Sequence, residues 1–144
     1  IFQRGHGTPD RRYALGLGCD RNTPLTTLET AVGEALMQCG ADFADVAAVA
    51  SITLKSDEPA LLQLANKFGW SIRFHTAAEL ATVDVPNPSE TVRRHTGTPS
   101  VSEAAALLAA CPHAPDMKQL LVEKHRLRGL DGRNATVSIA RITA

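Results

Sequence analysis

Residues 13–40 are YALGLGCDRNTPLTTLETAVGEALMQCG, and this stretch decides the fold class. The apolar run at 13–18 is closed by glycines, as expected for a short buried strand. Thr23 and Pro24 then predict a helix start, with Thr as the cap and Pro in the first turn. The helix has one apolar stripe at three- and four-residue steps and a glycine to end it; these residues are Leu25, Leu28, Val32, Ala35, Cys39 and Gly40. Strand, loop and helix in this order favour an α/β domain.

The middle of the chain continues this alternation. Residues 46–54 are small, apolar and β-branched without helical spacing, which predicts a strand covered on both faces. A second helix is expected to begin near residues 56–59 and to end at Gly69, and residues 71–74 predict a third strand. Three short helices are predicted by pairs in which a capping side chain precedes Glu by three residues, namely Thr76 with Glu79, Asn87 with Glu90 and Ser100 with Glu103.

Two strands are predicted near the C-terminus, at residues 119–124 and 135–142. The connection of about ten residues is too short for a parallel crossover and favours an antiparallel pair. We therefore expect residues 13–144 to form a single three-layer α/β domain. Its sheet should be mixed, mostly parallel, flanked by helices and completed by a C-terminal antiparallel strand pair. Residues 1–12 are expected to be a flexible segment.

Composition excludes several classes of function. In 144 residues, 15 Lys and Arg balance 15 Asp and Glu, so no overall charge favours nucleic acid or an anionic membrane. No apolar run approaches the roughly 20 residues that span a bilayer. The three cysteines lack paired C-x-x-C spacing, so we expect no metal site and a reducing cytoplasm. No P-loop, complete dinucleotide fingerprint or G-x-S-x-G elbow occurs, and no cofactor is evident.

The candidate site lies at the carboxyl edge of the predicted sheet, where ligands of open α/β sheets bind. Segments 16–23, 55–58, 97–103 and 124–125 should meet there. They bring hydroxyls, helix starts and three cations from different loops, Arg21, Lys55 and Lys124. These groups are suited to binding carboxylates.

Several of these residues have a structural interpretation beside the functional one. Gly16 and Gly18 can simply permit a tight turn, and Cys19 can be a packing residue unless a helix start favours its thiolate. The Ser100–Glu103 pattern favours a helix cap. His125 is more often a surface residue than a cleft residue.

The order of these segments resembles the CobE/CbiG C-terminal family of cobalamin biosynthesis. The resemblance covers residues 13–142 and is carried by 16–19 (GLGC), 51–58 (SITLKSDE), 79–80 (EL), 88–90 (PSE), 97–106 (GTPSVSEAAA), Lys124 and 135–140 (ATVSIA). Residues 20–22 (DRN) depart from it, since the family often has two basic residues and a glycine there. The chain is most similar to the stand-alone CobE form. The CbiG form carries further N-terminal sequence and opens the ring A lactone of cobalt-precorrin 5A, releasing acetaldehyde.

The resemblance implies a precorrin or corrin intermediate as the ligand, a macrocycle fringed with carboxylates, and other enzymes of the pathway as potential partners. Together with the expected position of these segments at the carboxyl edge of the sheet, the resemblance predicts the following ligand contacts: Gly18, Cys19, Arg21, Lys55, Thr98, Ser100, Ser102 and Lys124.

Three functions stay open. The domain binds, protects or transfers such an intermediate, which we favour. Alternatively it is a hydrolase in which Glu58 or Glu103 activates water and Lys55 stabilises the oxyanion, or it is a structural subunit.

Overall fold

The structure, a computed structural model, describes residues 12–142. Short 3₁₀ turns lie at Phe43–Asp45, Thr53–Lys55 and Met117–Gln119. The described strands and helices are β1 (Tyr13–Cys19), α1 (Leu25–Gln38), β2 (Val46–Ile52), α2 (Pro59–Phe68), β3 (Ile72–His75), α3 (Ala77–Ala81), α4 (Glu90–Thr96), α5 (Ser102–Ala110), β4 (Leu120–Arg128) and β5 (Asn134–Arg141).

The strands form one mixed sheet in the order β3-β2-β1-β5-β4. β1, β2 and β3 are parallel, and β5 is antiparallel to both β1 and β4. Four strands therefore share one direction, which confirms the predicted mixed, mostly parallel sheet. The predicted C-terminal pair is also confirmed, with Val122 opposite Ile139. β4 continues to Arg128, because the turn begins only at Gly129, whose N–H donates to the Arg133 carbonyl over 2.8 Å.

Helices cover both faces of the sheet, as predicted. Leu15 and Leu17 of β1 belong to a core with α1 and α2, whereas Ala14 belongs to a second core with α5 and Leu80 of α3. Alternation of side chains along the central strand produces these two cores. Each fully buried Leu stabilises the fold by roughly 1.5–3 kcal/mol.

Gly16 and Gly18 lie inside β1, so the prediction of a glycine turn was wrong. Gly16 is needed because α5 packs directly on the strand: a Cβ there would lie 1.8 Å from the Ser102 carbonyl oxygen. In the loop that follows, Asn22 has the positive φ, 66°. Asn tolerates this conformation better than most residues.

The start of α1 differs from the prediction in its cap. Pro24 occupies the cap position and accepts from the Leu28 N–H over 3.2 Å, without a side-chain cap. The Thr23 hydroxyl instead donates to the Asp20 carbonyl over 2.7 Å. The end of α1 agrees with the prediction, because Gly40 follows it with a φ of 68°.

Of the three predicted capping pairs, one is confirmed. Thr76 Oγ1 accepts from the Glu79 N–H over 3.1 Å, and Glu79 accepts in return. The second was wrong, because Ser89 rather than Asn87 caps α4. The third was also wrong, because α5 begins at Ser102 after Val101, without a side-chain cap.

The N-terminal prediction falls mainly outside the described residues. Residues 1–11 lie in the part of the chain that the structure does not describe. Arg12, the last residue of the segment predicted to be flexible, accepts from the Ile142 N–H over 2.7 Å. This bond extends the antiparallel pairing of β1 with β5 by one residue.

Candidate functional site: a cationic cleft

An open cleft lies where β1 and β2 end and β5 begins. Because β5 is antiparallel to β1, its first residues lie beside the last residues of β1, with Gly18 opposite Thr136. The first turn of α5 and one face of α4 complete the walls. The cleft has a volume of about 570 Å³, and small-molecule sites measure roughly 300–1,000 Å³.

Arg21, Lys55 and Lys124 all line this cleft, which confirms their predicted convergence. They lie on three different segments, after β1, after β2 and in β4. The carboxyl edge of the sheet brings them together, as expected for parallel strands with a crossover between them. The contacts of the three cations nevertheless differ, and the differences decide which of them can bind a ligand.

Arg21 is engaged by the protein itself. Its Nη1 lies 2.9 Å from Asp57 Oδ1 and 3.1 Å from Glu58 Oε1, and its Nη2 donates to the Leu54 carbonyl over 2.7 Å. The hydrogen bond and the charge of Arg21 lower the pKa of Asp57 below its usual value. Two carboxylates therefore offset the Arg21 charge, and the side chain joins the loop after β1 to the loop after β2.

Glu58 lies behind Arg21 and is fully buried. Its Oε2 accepts from the Asn22 N–H over 2.9 Å, and its Oε1 receives no hydrogen bond although Arg21 is near. Glu58 does not line the cleft. It holds the Asn22 turn and the Arg21 side chain in place.

Lys55 is the least engaged of the three cations. It ends the 3₁₀ turn after β2, is partly buried and lines the cleft. Within residues 12–142, its ammonium has no hydrogen bond and no ion pair. Its three N–H donors remain for a ligand.

Lys124 is partly engaged, through Asn87. Its Nζ donates to the Asn87 carbonyl over 3.2 Å. The Asn87 side-chain amide donates to Glu103 Oε2 over 2.6 Å and to Glu123 Oε1 over 3.0 Å. Lys124 keeps further donors for a ligand, while Asn87 joins it to a buried carboxylate.

Glu103 is that buried carboxylate, and it does not line the cleft. Ser100 Oγ donates to its Oε1 over 3.1 Å, and the Asn87 N–H donates to the same oxygen over 3.3 Å. The Ser100–Glu103 pattern is therefore a side-chain pair and not a helix cap. Ser100 and Thr98 are buried, and neither lines the cleft.

Ser102 does line the cleft, from the first turn of α5. Ser138 Oγ donates to the Glu123 carbonyl and lies 2.9 Å from Ser102 Oγ. Because the single Ser138 proton goes to that carbonyl, Ser102 supplies the proton between the two hydroxyls. Ser102 Oγ thus keeps its lone pairs as an acceptor, suited to a ligand N–H or O–H group.

Gly18 and Cys19 line the cleft at the end of β1. Burial, reinforced by the charge of Glu58, raises the pKa of the Cys19 thiol to about 11. Cys19 is also in the strand and not at the start of α1. These facts agree with the packing interpretation of Cys19, and the thiolate interpretation was wrong.

Sequence analysis missed Arg126 and His95, which also line the cleft. Arg126 follows Lys124 by two residues on β4, a spacing that returns to the same face of a strand and was available from the sequence. His95 had no such signal, because α4 reaches the cleft only through tertiary packing. His125 is placed elsewhere: its Nε2 lies 2.7 Å from Glu34 Oε1 on α1.

The part of the chain that the structure describes contains no group of three or more His, Cys, Asp or Glu residues placed to hold a metal ion. In the same residues, no helix is long and apolar enough to cross a membrane.

The family follows from a comparison with protein-family models. The model described as "Cobalamin synthesis G C-terminus" matches residues 13–140. This chain belongs to that family, the CobE/CbiG C-terminal family. It is a cobalamin biosynthesis protein.

Curated relatives come from both branches of the CobE/CbiG family. "Protein CobE" of Sinorhizobium sp is 37% identical over 120 residues, which are 82% of this chain and 78% of that protein. "Cobalt-precorrin-5A hydrolase" of Priestia megaterium is 34% identical over 142 residues, which are 99% of this chain and 35% of that protein. The chain thus spans about a third of the hydrolases it matches and most of CobE.

Solved structures of the CobE/CbiG family share the fold. A crystal structure of CobE, described as a protein of the cobalamin biosynthetic pathway, has a TM-score of 0.77 and 33% identity, covering 92% of this chain and 91% of CobE. Cobalamin biosynthesis protein chiG from Agrobacterium tumefaciens str. C58 has a TM-score of 0.63 and 30% identity, covering 92% of this chain and 99% of that one. These likenesses confirm the α/β fold of the family.

Proposed function

We propose that this chain binds a tetrapyrrole intermediate of cobalamin biosynthesis through its free carboxylates, and holds it for processing or transfer. The observation that carries the proposal is the Lys55 ammonium, which lines the cleft without a partner in residues 12–142. A partly buried cation without an ion pair favours binding of an anion. Lys124 and Arg126 add two further cations to the same cleft.

The charge distribution of the protein supports a local anion site. The whole chain has a formal net charge of zero, so long-range attraction does not gather anions. Charge-assisted hydrogen bonds inside the cleft are shorter and stronger than neutral ones. Selectivity for carboxylates therefore depends on a few contacts, chiefly those of Lys55 and Lys124.

Apolar side chains in the cleft suit the face of a macrocycle. Leu54 is 51% exposed and lines the cleft beside Lys55. Val92 of α4 and Val101 lie on other walls. A planar ligand that covers Leu54 buries apolar surface, at roughly 25 cal/mol per Å², while its carboxylates reach the cations.

A comparison of two corrins tests the proposal. Cobyrinic acid carries free carboxylates, and cobinamide presents amides in most of the same positions. We expect the purified protein to bind the free acid at least about tenfold more tightly, because one lost charge-assisted hydrogen bond is worth about 1.5 kcal/mol. Calorimetric titration measures the affinity of the protein for each corrin. Equal affinities, or no binding of either, would contradict the proposal.

A second candidate function is hydrolysis of a precorrin lactone. The hydrolase of P. megaterium favours it, since almost the entire chain aligns with that protein at 34% identity. Glu58 and Glu103 are the bases that sequence analysis nominated, and both are buried outside the cleft wall. For either to activate water, Arg21 or Asn87 would have to move aside. Incubation with cobalt-precorrin-5A, followed by mass spectrometry, separates the two functions: an unchanged, protein-bound ligand supports binding alone.

A further inference from the structure

His95 is a cleft residue with a defined hydrogen-bonding state. It lies in the last turn of α4, is exposed and lines the cleft. Its Nδ1 lies 2.8 Å from the Thr91 carbonyl oxygen. Because a carbonyl only accepts, Nδ1 carries the proton, and the Nε2 of the neutral ring has an open lone pair. In residues 12–142 no other hydrogen bond involves this ring.

The wall that carries His95 is suited to a flat ligand. Thr91, Val92, His95 and Thr96 all line the cleft. Spacings of three and four residues place Val92 and His95 on one face of α4 with Thr91. A macrocycle that covers Val92 would therefore present its face to the imidazole of His95.

Other electron-pair donors of the cleft are less suited to a transition metal than Nε2. Burial raises the pKa of Cys19 to about 11, so it remains a thiol. Both hydrogen bonds from Asn134 go to Oδ2 of Asp20, over 2.8 and 3.1 Å, so Oδ1 stays open, but carboxylate oxygen suits harder cations than imidazole nitrogen does. Lys55 and Lys124 carry ammonium groups, which have no lone pair.

We propose that His95 Nε2 is an axial ligand to the metal of a metallated tetrapyrrole bound in the cleft, so that the protein distinguishes cobalt-containing from metal-free intermediates. This inference rests on the proposed binding function. The Nδ1–H bond to a backbone carbonyl is the arrangement that orients metal-ligating histidines and fixes their tautomer. α4 supplies that carbonyl from its own preceding turn, so His95 is oriented without help from another element.

Electron paramagnetic resonance of cobalt(II) cobyrinic acid tests the inference. Coordination by one ¹⁴N splits each parallel cobalt hyperfine line into a triplet, and uniform ¹⁵N labelling of the protein converts the triplets to doublets. We expect both results for the parent protein and loss of the splitting in His95→Ala. The preference for the cobalt over the metal-free corrin should also fall by about tenfold in that variant, the lower end of losses seen when metal–histidine sites are disturbed. His113→Ala, at an exposed residue outside the cleft, is the control and should keep the splitting.

The outcomes separate this inference from the proposed function. If the parent binds both corrins and shows no nitrogen splitting, or if His95→Ala retains it, axial ligation by His95 is wrong and carboxylate binding stands. If neither corrin binds, the proposed function fails and the inference fails with it. Because α4 has no buried residue, His95→Ala is expected to fold, and an unchanged Tm verifies this.

Discussion

Arg21 Nη1 lies 3.1 Å from Oε1 of Glu58, a carboxylate that is fully buried at the edge of the cleft. These two residues are 37 positions apart, in the loops that follow β1 and β2. The pair makes Arg21 a stabilising residue first, whereas Lys55 has no such partner in the described residues. The two cations of one cleft are therefore expected to respond differently to substitution.

Arg21→Ala is expected to lower the free energy of unfolding, because the fully buried Glu58 carboxylate would lose the guanidinium beside it. Urea unfolding measures this. The double variant with Glu58→Gln should recover part of the loss, since it removes the unpaired charge. A stable Arg21→Ala protein would show that the pair contributes nothing to stability.

Lys55→Ala should weaken binding of a carboxylate-bearing corrin by about 1.5–3 kcal/mol, the usual worth of hydrogen bonds to charged groups, with little change in Tm. Calorimetric titration is the measurement, and Lys118→Ala, at an exposed residue that does not line the cleft, is the matched control. The affinity of the parent should fall as salt rises, because exposed charges are screened. Equal affinity of the two variants would contradict a role for Lys55.

Ser100→Ala should lower stability by about 1–3 kcal/mol, because a buried carboxylate loses a donor. The partner makes the test specific, since Ser100 acts through Glu103 and not through a helix end. In a Glu103→Gln background, Ser100→Ala should lower the free energy of unfolding by a smaller amount. Thr76→Ala removes a true cap and should cost about 0.5–2 kcal/mol in either background. An equal cost of Ser100→Ala in both backgrounds would refute the pairing.

Cys19 should react slowly with iodoacetamide in the native protein, because its pKa is raised to about 11 and the thiolate is the reacting species. Peptide mass spectrometry after timed labelling near pH 8 compares it with Cys111, which is also partly exposed. Labelling in urea should remove the difference. Native labelling of Cys19 as fast as in urea would show that the thiol is not protected.

His75 should make stability depend on pH near neutrality. Burial lowers the pKa of His75 below 6.5, although the charge of Glu79, whose Oε1 lies 3.8 Å from His75 Nδ1, acts to raise it. The Nε2 of His75 is buried without a hydrogen bond. Below about pH 6.5 the unfolded state therefore binds more protons than the folded state. The contribution of His75 to the free energy of unfolding is complete above that pH and is lost as pH falls through the folded pKa. Urea unfolding across this range should show a smaller loss in His75→Gln than in the parent. Parallel pH curves for the two proteins would contradict this assignment.

Local signals explain the parts of the fold that sequence analysis predicted well. The apolar stripe of α1 and the glycines after α1 and α2 act over neighbouring residues, so their effects are visible in the sequence. The short connection between β4 and β5 restricts their pairing by its length alone. Convergence of Arg21, Lys55 and Lys124 followed from strand order, because carboxyl ends of parallel strands share one edge.

Tertiary structure decided what each of those residues can do. Ser100 and Glu103 have the spacing of a helix cap, yet Asn87, from a loop 16 positions away, engages the same carboxylate and α5 begins later. Local spacing could not reveal that competition. Three further features likewise depend on which loops meet: Glu58 is buried behind Arg21, Lys55 has no ion pair in the described residues, and His95 lines the cleft. The sequence by itself determined the elements, their order and the edge where charge collects, because those depend on periodicity and chain length. Only packing between distant segments decided which charges are neutralised inside the protein and which remain for a ligand.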